Sequence, residues 1–271
     1  KLDDEIRQTQ QKAHSEPLKA IILAAGKDEN LFPLTDEIPK TLLDVRGKTI
    51  LERQLEILRS SGITDITVVR GYQKHRIDYP GLNYIDNDDY ENTGSLASLL
   101  LAREYLDTDT IILYGDILFE LETLNRLIQS DTNTTLVVDR GWKKRYRDSK
   151  EGHALAPELI NLAEGSEVIK AVGVGLEVTD LSSEFIGLAK LSRKDLSVLK
   201  DIHDNIYQPH PEQEFHSSKS IKQASFLDFI QELIEQEKII SALEIWRSWI
   251  DVDTFEDYRN SWKLIENIDR G

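Results

Sequence analysis

Leu18-Lys19-Ala20-Ile21-Ile22-Leu23-Ala24-Ala25-Gly26, followed by Pro33-Leu34-Thr35 and Pro39-Lys40, is the stretch whose reading decides the fold. Apart from Lys19 the run is apolar without polar alternation, as in a strand buried on both faces of a parallel sheet. The small residues Ala24, Ala25 and Gly26 let a ligand come close to the backbone at the strand's end. Ile38, placed before Pro39, is biased to an extended shape that carries Lys40 on a stiff arm. Leu23, Ala24, Ala25 and Gly26 therefore read as a strand entering a phosphate-binding loop, with Lys27 and Lys40 as the nearby cations. Taken singly, Gly26 would equally serve as a plain turn and Lys40 as a solvated surface charge.

Working outward, 271 residues suffice for one large α/β domain with a full core. A net charge of −16 disfavours nonspecific association with nucleic acid or an anionic membrane surface, so any anion site must be built locally. Cysteine is absent, which excludes disulfides, thiolate nucleophiles and Cys-ligated zinc and fits a cytoplasmic setting. No apolar run approaches the roughly 20 residues of a membrane-spanning helix. Residues 1–17 are polar and read as a tail or as the joint to an upstream domain, with the folded domain over 18–271.

Strand and helix patterns alternate through the first half, which predicts βαβ units, a mostly parallel mixed sheet flanked by helices and a Rossmann-like α/β fold. A helix is expected over Lys48 to Ser61, stopped by Gly62, then a strand Asp65 to Arg70 and a short one Leu82 to Ile85. Asn92-Thr93-Gly94-Ser95 introduces a helix running to Leu106, and Thr110 to Asp116 reads as one central strand before a helix Glu120 to Gln129. Thr134 to Asp139 is a strand leading into the basic run 140–147, which is either a solvated face or a source of anion-binding cations. Strands are expected near Val168 to Val174 and Phe185 to Leu191, and helices over Lys194 to Tyr207 and Phe226 to Gln236. Strands Lys238 to Ala242 and Glu244 to Val252 and a helix Thr254 to Ile268 close the chain. The six histidines show no metal-ligand spacing, and no zinc site is read.

Ligands of open α/β sheets bind at the carboxyl ends of the strands, which nominates Gly26, Asp86, Asp116 and Asp139 to ring one crevice. A carboxylate ending a strand as apolar as Ile111-Ile112-Leu113 is costly unless it caps a helix or holds a cation. Asp251 and Asp253, two apart, project from one face of a strand end and supply further carboxylates. Asp253 with Glu256 three residues on would equally form the capping box of the last helix.

Residues Lys19 to Leu43 resemble the signature of the nucleotidyltransferases that join a nucleoside triphosphate to a phosphorylated small molecule, the MobA-like and sugar-nucleotidyltransferase-like family. That family usually continues with a second glycine and a triphosphate-gripping arginine, where this chain has Gly26-Lys27-Asp28-Glu29-Asn30. The acidic pair must point away, cap a turn or meet a polyanion only through a cation. Such a loop resembles the cytidylyltransferase branch, acting on choline phosphate or 2-aminoethylphosphonate, and within it the domains fused to phosphoenolpyruvate mutase. The resemblance implies Mg²⁺ held by Asp116 and Asp253, with Asp251 as a weaker third, and Lys40 and Lys27 as catalytic cations. It implies nucleotide binding by residues 23–26 and by Asn92, Thr93, Gly94 and Ser95, where a glycine admits the base. Glu184, Arg140 and Lys143 are expected at the acceptor, and Trp142, Tyr146, Trp246 and Trp249 are candidates for an aromatic box. The implied substrates are CTP and a small phosphonate or phosphate monoester, with UTP- or dTTP-dependent sugar transfer and a non-catalytic nucleotide-binding domain as alternatives.

Overall fold

The computed structural model describes residues 17–144 and 156–270, with side chains to Ile268. Strand β1 (Lys19–Ala24) lies at the centre of the sheet, paired in parallel with β2 (Ile66–Arg70) and β4 (Thr110–Tyr114), and β2 pairs in parallel with β3 (Asn83–Asp86). Helix α1 (Ile50–Ser60) crosses between β1 and β2, opened by the capping box of Thr49 and Glu52. Helix α2 (Ser95–Leu101) is shorter than expected, giving way to a 3₁₀ turn at Arg103–Tyr105 before β4.

The strand order is β10-β6-β9-β4-β1-β2-β3. Strand β6 (Thr134–Asp139) pairs in parallel with β10 (Ile240–Ile245), while β9 (Ser182–Leu191) inserts antiparallel between β4 and β6. The expected mostly parallel, mixed α/β sheet is therefore present, with helices such as α1 and α6 (Phe226–Glu235) packed on it through buried apolar faces. Strands β7 (Glu158–Leu162) and β8 (Ile169–Val174) form an antiparallel extension from β9. The sequence pattern misses β7, whose ELINL run alternates too weakly to register.

Two departures position the site. The expected single strand Thr110 to Asp116 stops at Tyr114, turns through Gly115-Asp116, and resumes as β5 (Ile117–Phe119) ahead of α3 (Leu121–Ile128). The expected strand Glu244 to Val252 breaks at Arg247 and Ser248, both with left-handed φ (62° and 66°), so that β11 (Trp249–Asp251) leaves the main sheet. β11 then pairs antiparallel with β5, setting Asp251 opposite Ile117, and Val252 N donates to Asp116 O at 3.2 Å. This two-stranded ribbon brings a C-terminal segment against the turn that carries Asp116. The stretch read as one helix over Lys194 to Tyr207 is instead α4 (Arg193–Leu196), α5 (Val198–Ile202) and a wide turn His203–Tyr207. The last helix, α7, spans Phe255–Arg270. Among the described residues no helix is long and apolar enough to cross a membrane.

Candidate active site

The end of β1 packs tightly against the β4–β5 turn. A Cβ on Gly115 would stand 2.8 Å from the Ala24 Cβ, and Gly115 N donates to Leu23 O, so both positions must be small for the strands to approach. Gly26 is different, because among the described residues beyond its own chain neighbours no atom lies within 4 Å of where its Cβ would be. Its missing side chain leaves open space toward a cavity of about 500 Å³ lined by Leu23, Ala24, Gly26, Lys27, Lys40 and Asp116, among others. Ala25 turns the other way, into the core, and its carbonyl accepts from Tyr72 N.

The acidic pair of the loop is neutralised in place. Asp28 accepts from Asn30 N at 2.8 Å and lies 2.9 Å from Lys40 Nζ, while Glu29 accepts from Lys27 Nζ at 2.7 Å. Thr35 Oγ1 donates to the Asp28 carbonyl at 2.7 Å, which folds the Pro33-Leu34-Thr35 segment back onto the loop. The hydrogen bond to Glu29 lifts the Lys27 ammonium above its usual range. The ammonium also faces the rings of Phe32 and Tyr72.

Lys40 is the centre of the arrangement. Its Nζ lies 2.6 Å from Asp253 Oδ1, 2.9 Å from Asp116 Oδ2 and 2.9 Å from Asp28 Oδ2. Burial by itself would depress the ammonium, but Asp116, Asp253 and Asp28 outweigh it and hold it well above the ordinary lysine range. The Asp116 and Asp253 oxygens are thus no further apart than those two contact distances together. A reciprocal pair opens α7: the Thr254 hydroxyl accepts from Asp257 N, and Thr254 N donates to Asp257 Oδ2.

Asp116 is held through its backbone. Gln54 of α1, 1% exposed, donates Nε2 to Tyr114 O and to Ile117 O, both at 2.8 Å, and so clamps the turn on either side of the aspartate. Asp116 Oδ1 is buried and accepts no hydrogen bond among the described residues. One ammonium among three carboxylates leaves an excess of negative charge, and the donors are hard oxygens. These features fit a Mg²⁺ ion better than a purely structural ion-pair cluster.

A second cavity, of about 310 Å³, shares Lys40, Asp116 and Asp253 with the first. It is lined further by Tyr114, Glu158, Glu184, Phe185, Trp249 and Asp251. Glu184 and Phe185 reach it from β9, whose pairing with β6 shifts register between Leu136 and Val138, and the Tyr114 ring lies where a Cβ on Gly187 would be. Burial pushes the Glu158 carboxyl up to about 8, and Tyr114 Oη donates to it at 3.3 Å. Asp251 faces this cavity alone, whereas Asp253 borders both. Glu158, Tyr114 and Gln54 were not singled out from sequence; only pairings across the folded sheet mark them.

Several expected residues lie elsewhere. Asp139 is 1% exposed and accepts from Gly141 N (2.7 Å), Arg247 N (3.1 Å) and Trp249 Nε1 (3.1 Å), a fully used structural carboxylate. Asp86 is occupied by Arg70 and Lys74 and lines neither cavity. Arg140 braces Glu244, Ser183 and the Asp180 carbonyl, Lys143 donates to Thr179 O, and neither lines the two cavities. Asn92, Thr93, Gly94 and Ser95 also line neither cavity. Backbone fills one side of Gly94, where a Cβ would stand 2.2 Å from Ala224 O. The aromatic box does not assemble as expected: Trp142 is buried with its indole on Ser182 O, Trp246 is 71% exposed, and Tyr146 falls outside the described residues. Among the described residues of that set, Trp249 borders the second cavity, joined by Tyr114 and Phe185.

Comparison with known proteins finds nucleotidyltransferases. CTP:phosphoglutamine cytidylyltransferase of Campylobacter jejuni is 26% identical over 89% of this chain and 97% of its own length. Choline-phosphate cytidylyltransferase of Streptococcus pneumoniae is 38% identical over 42% of this chain and 51% of its own. CMP-5'-(3-aminopropyl)phosphonate synthase of Streptomyces rubellomurinus is 33% identical over 46% of this chain but only 21% of its own. The solved CTP:phosphocholine cytidylyltransferase of Streptococcus pneumoniae shares the fold, with a TM-score of 0.67 at 21% identity over 92% of this chain and all of that one. Residues 20–172 match the model of the MobA-like NTP transferase domain, and the chain belongs to that family.

Proposed function

We propose that the chain is a Mg²⁺-dependent cytidylyltransferase that moves CMP from CTP to a phosphonate of the 2-aminoethylphosphonate type and releases pyrophosphate. The observation that carries this reading is the pair of cavities meeting at Lys40, Asp116 and Asp253, one behind the signature loop and one behind β9. A transferase needs two anionic substrates facing one another across a single charge-neutralising centre. An acceptor oxygen would form a bond to the α-phosphorus as the bond from that phosphorus to the bridging oxygen breaks, the electron pair leaving with pyrophosphate. The acceptor oxygen is already anionic, so no residue has to take a proton.

Asp116 and Asp253 would hold the ion, which supplies neutralisation of charge on the transferring group. Lys40 borders both cavities and is suited to balance the second anion. Lys27, freed from Glu29, is the cation available to the triphosphate in place of the family's arginine. CTP as donor is supported by the three relatives above, whose names all specify cytidylyl transfer.

Glu184 and Asp251, joined by Glu158 once pH rises past about 8, give the acceptor cavity an acidic wall, which favours an acceptor carrying an ammonium group over a sugar phosphate that lacks one. The rings of Tyr114, Phe185 and Trp249 in the same wall favour phosphocholine as the second reading, through cation–π contact. Pyrophosphate release measured for CTP, UTP, ATP and dTTP against aminoethylphosphonate, phosphocholine and glucose-1-phosphate tests both. Turnover highest with CTP and aminoethylphosphonate is expected, and preference for phosphocholine selects the second reading. Nucleotide binding without turnover in any combination would overturn the enzyme reading.

A further inference from the structure

His216 shows no metal-ligand spacing to the other histidines, yet the fold sets it between two carboxylates of α6. Its Nε2 is 2.9 Å from Glu232 Oε2 and its Nδ1 is 3.4 Å from Glu235 Oε1. The two glutamates are three residues apart and so share one helix face. One ligand atom from each of the three residues lies within 4.8 Å of the other two. The imidazole is 12% exposed, and none of the three residues lines the two catalytic cavities.

The turn carrying His216 is fixed independently of these contacts. Phe215 and Ser218 exchange backbone hydrogen bonds, and the buried Asp228 of α6 accepts from Ser217 N, Ser217 Oγ and Ser218 Oγ at 3.0, 2.7 and 2.8 Å. His216 itself has φ +48°, a left-handed conformation that a non-glycine residue keeps only where its surroundings impose it. The carboxylates are oriented too: Gln236 Nε2 donates to Glu232 Oε1 at 2.8 Å and Gln231 Nε2 to Glu235 Oε1 at 3.1 Å. Outer hydrogen bonds of this kind are what holds metal ligands in register.

We infer that His216, Glu232 and Glu235 form a binding site for one divalent transition-metal cation of the zinc class, separate from the catalytic cluster. One imidazole with two carboxylates suits Zn²⁺, Co²⁺ or Ni²⁺ with water completing the shell, whereas Mg²⁺ prefers an all-oxygen set. The consequence is mechanical. The segment that follows the turn supports the helix start at residue 94, with Gly94 N donating to Lys222 O and Phe226 N to Ser95 Oγ. A cation there would staple the turn to α6 next to that contact.

Calorimetric titration of the untagged full chain with ZnCl₂, carrying Asp116→Asn and Asp253→Asn to silence the catalytic cluster, tests this. One ion per chain is expected, with binding undiminished by excess Mg²⁺. His216→Asn, which keeps a residue tolerant of the left-handed turn, and Glu235→Gln should each weaken Zn²⁺ at least about ten-fold. Unchanged metal-free melting of Glu235→Gln separates loss of a ligand from loss of the fold. No Zn²⁺ binding, or binding unaltered by Glu235→Gln, would overturn the site and leave His216 as a side chain that only braces the turn against two carboxylates of α6.

Discussion

Asp116 lies just past the buried strand β4 and Asp139 ends the buried strand β6, and nothing in their local sequence tells them apart. Asp139 is saturated: two backbone N–H groups and the Trp249 indole fill its oxygens. Asp116 meets only Lys40 through one oxygen, and its other oxygen is buried with no hydrogen-bond donor among the described residues. The difference comes from what the C-terminal third of the chain delivers. To Asp139 it brings neutral donors from Arg247 and Trp249, and to Asp116 it brings a second carboxylate, Asp253. A strand-end aspartate becomes a candidate metal ligand when the fold withholds hydrogen-bond donors and supplies negative charge instead.

The largest expected effect separates the two outright. Asp116→Asn should lower turnover on the order of a thousand-fold with the melting temperature nearly kept, since a neutral amide removes charge and not volume. Steady-state pyrophosphate release and thermal melting, read on the same sample, check this. Asp139→Ala should do the reverse, costing on the order of 3 kcal/mol of stability because three buried donors lose their acceptor. Chemical denaturation measures that cost, with kcat per folded molecule near wild type. A variant of Asp139 that is fully folded yet inactive would break the comparison.

A smaller effect is expected where Asp116 is held rather than changed. Gln54→Leu deletes both clamps on the β4–β5 turn while keeping side-chain bulk, and should raise the Mg²⁺ concentration for half-maximal activity about ten-fold. A Mg²⁺ titration of initial rates reads this, and an unchanged midpoint would show that the turn holds itself. A further effect concerns pH. With its carboxyl raised from 4.5 to about 8, Glu158 keeps a proton in the folded state that the unfolded chain has lost. Stability should therefore fall as pH rises from about 4.5 to about 8. Over the upper part of that window the newly formed carboxylate should lower KM for an ammonium-bearing acceptor. Glu158→Gln should flatten both trends in paired melting and KM measurements at pH 6 to 9.

The segment 19–43 was legible because its meaning is local: strand, small residues, loop and pre-proline lysine succeed one another along the chain. Even the acidic pair Asp28-Glu29 was open to reasoning, since like charges near an anion site need cations, and Lys40 and Lys27 are those cations. What stayed hidden depends on pairing at long range. β5 and β11 are three residues each, too short to show a period, yet their ribbon sets Asp253 beside Asp116. Arg140 and Lys143 looked available because their anchors, Glu244 and the Thr179 carbonyl, are distant in sequence. Gly94 advertised a close approach correctly, but the approaching group is the backbone of residues 223–224. The role of a glycine is readable from sequence before its partner is.

The central claim is that Asp116 and Asp253 share one cation and Asp139 takes no part. Mn²⁺ affinity measured by electron paramagnetic resonance, with a non-hydrolysable CTP analogue present, tests it most directly. Asp116→Asn and Asp253→Asn should each weaken Mn²⁺ at least about ten-fold, while Asp139→Asn, at a temperature where it is folded, leaves it unchanged. Wild-type Mn²⁺ affinity in either Asp116→Asn or Asp253→Asn would contradict it.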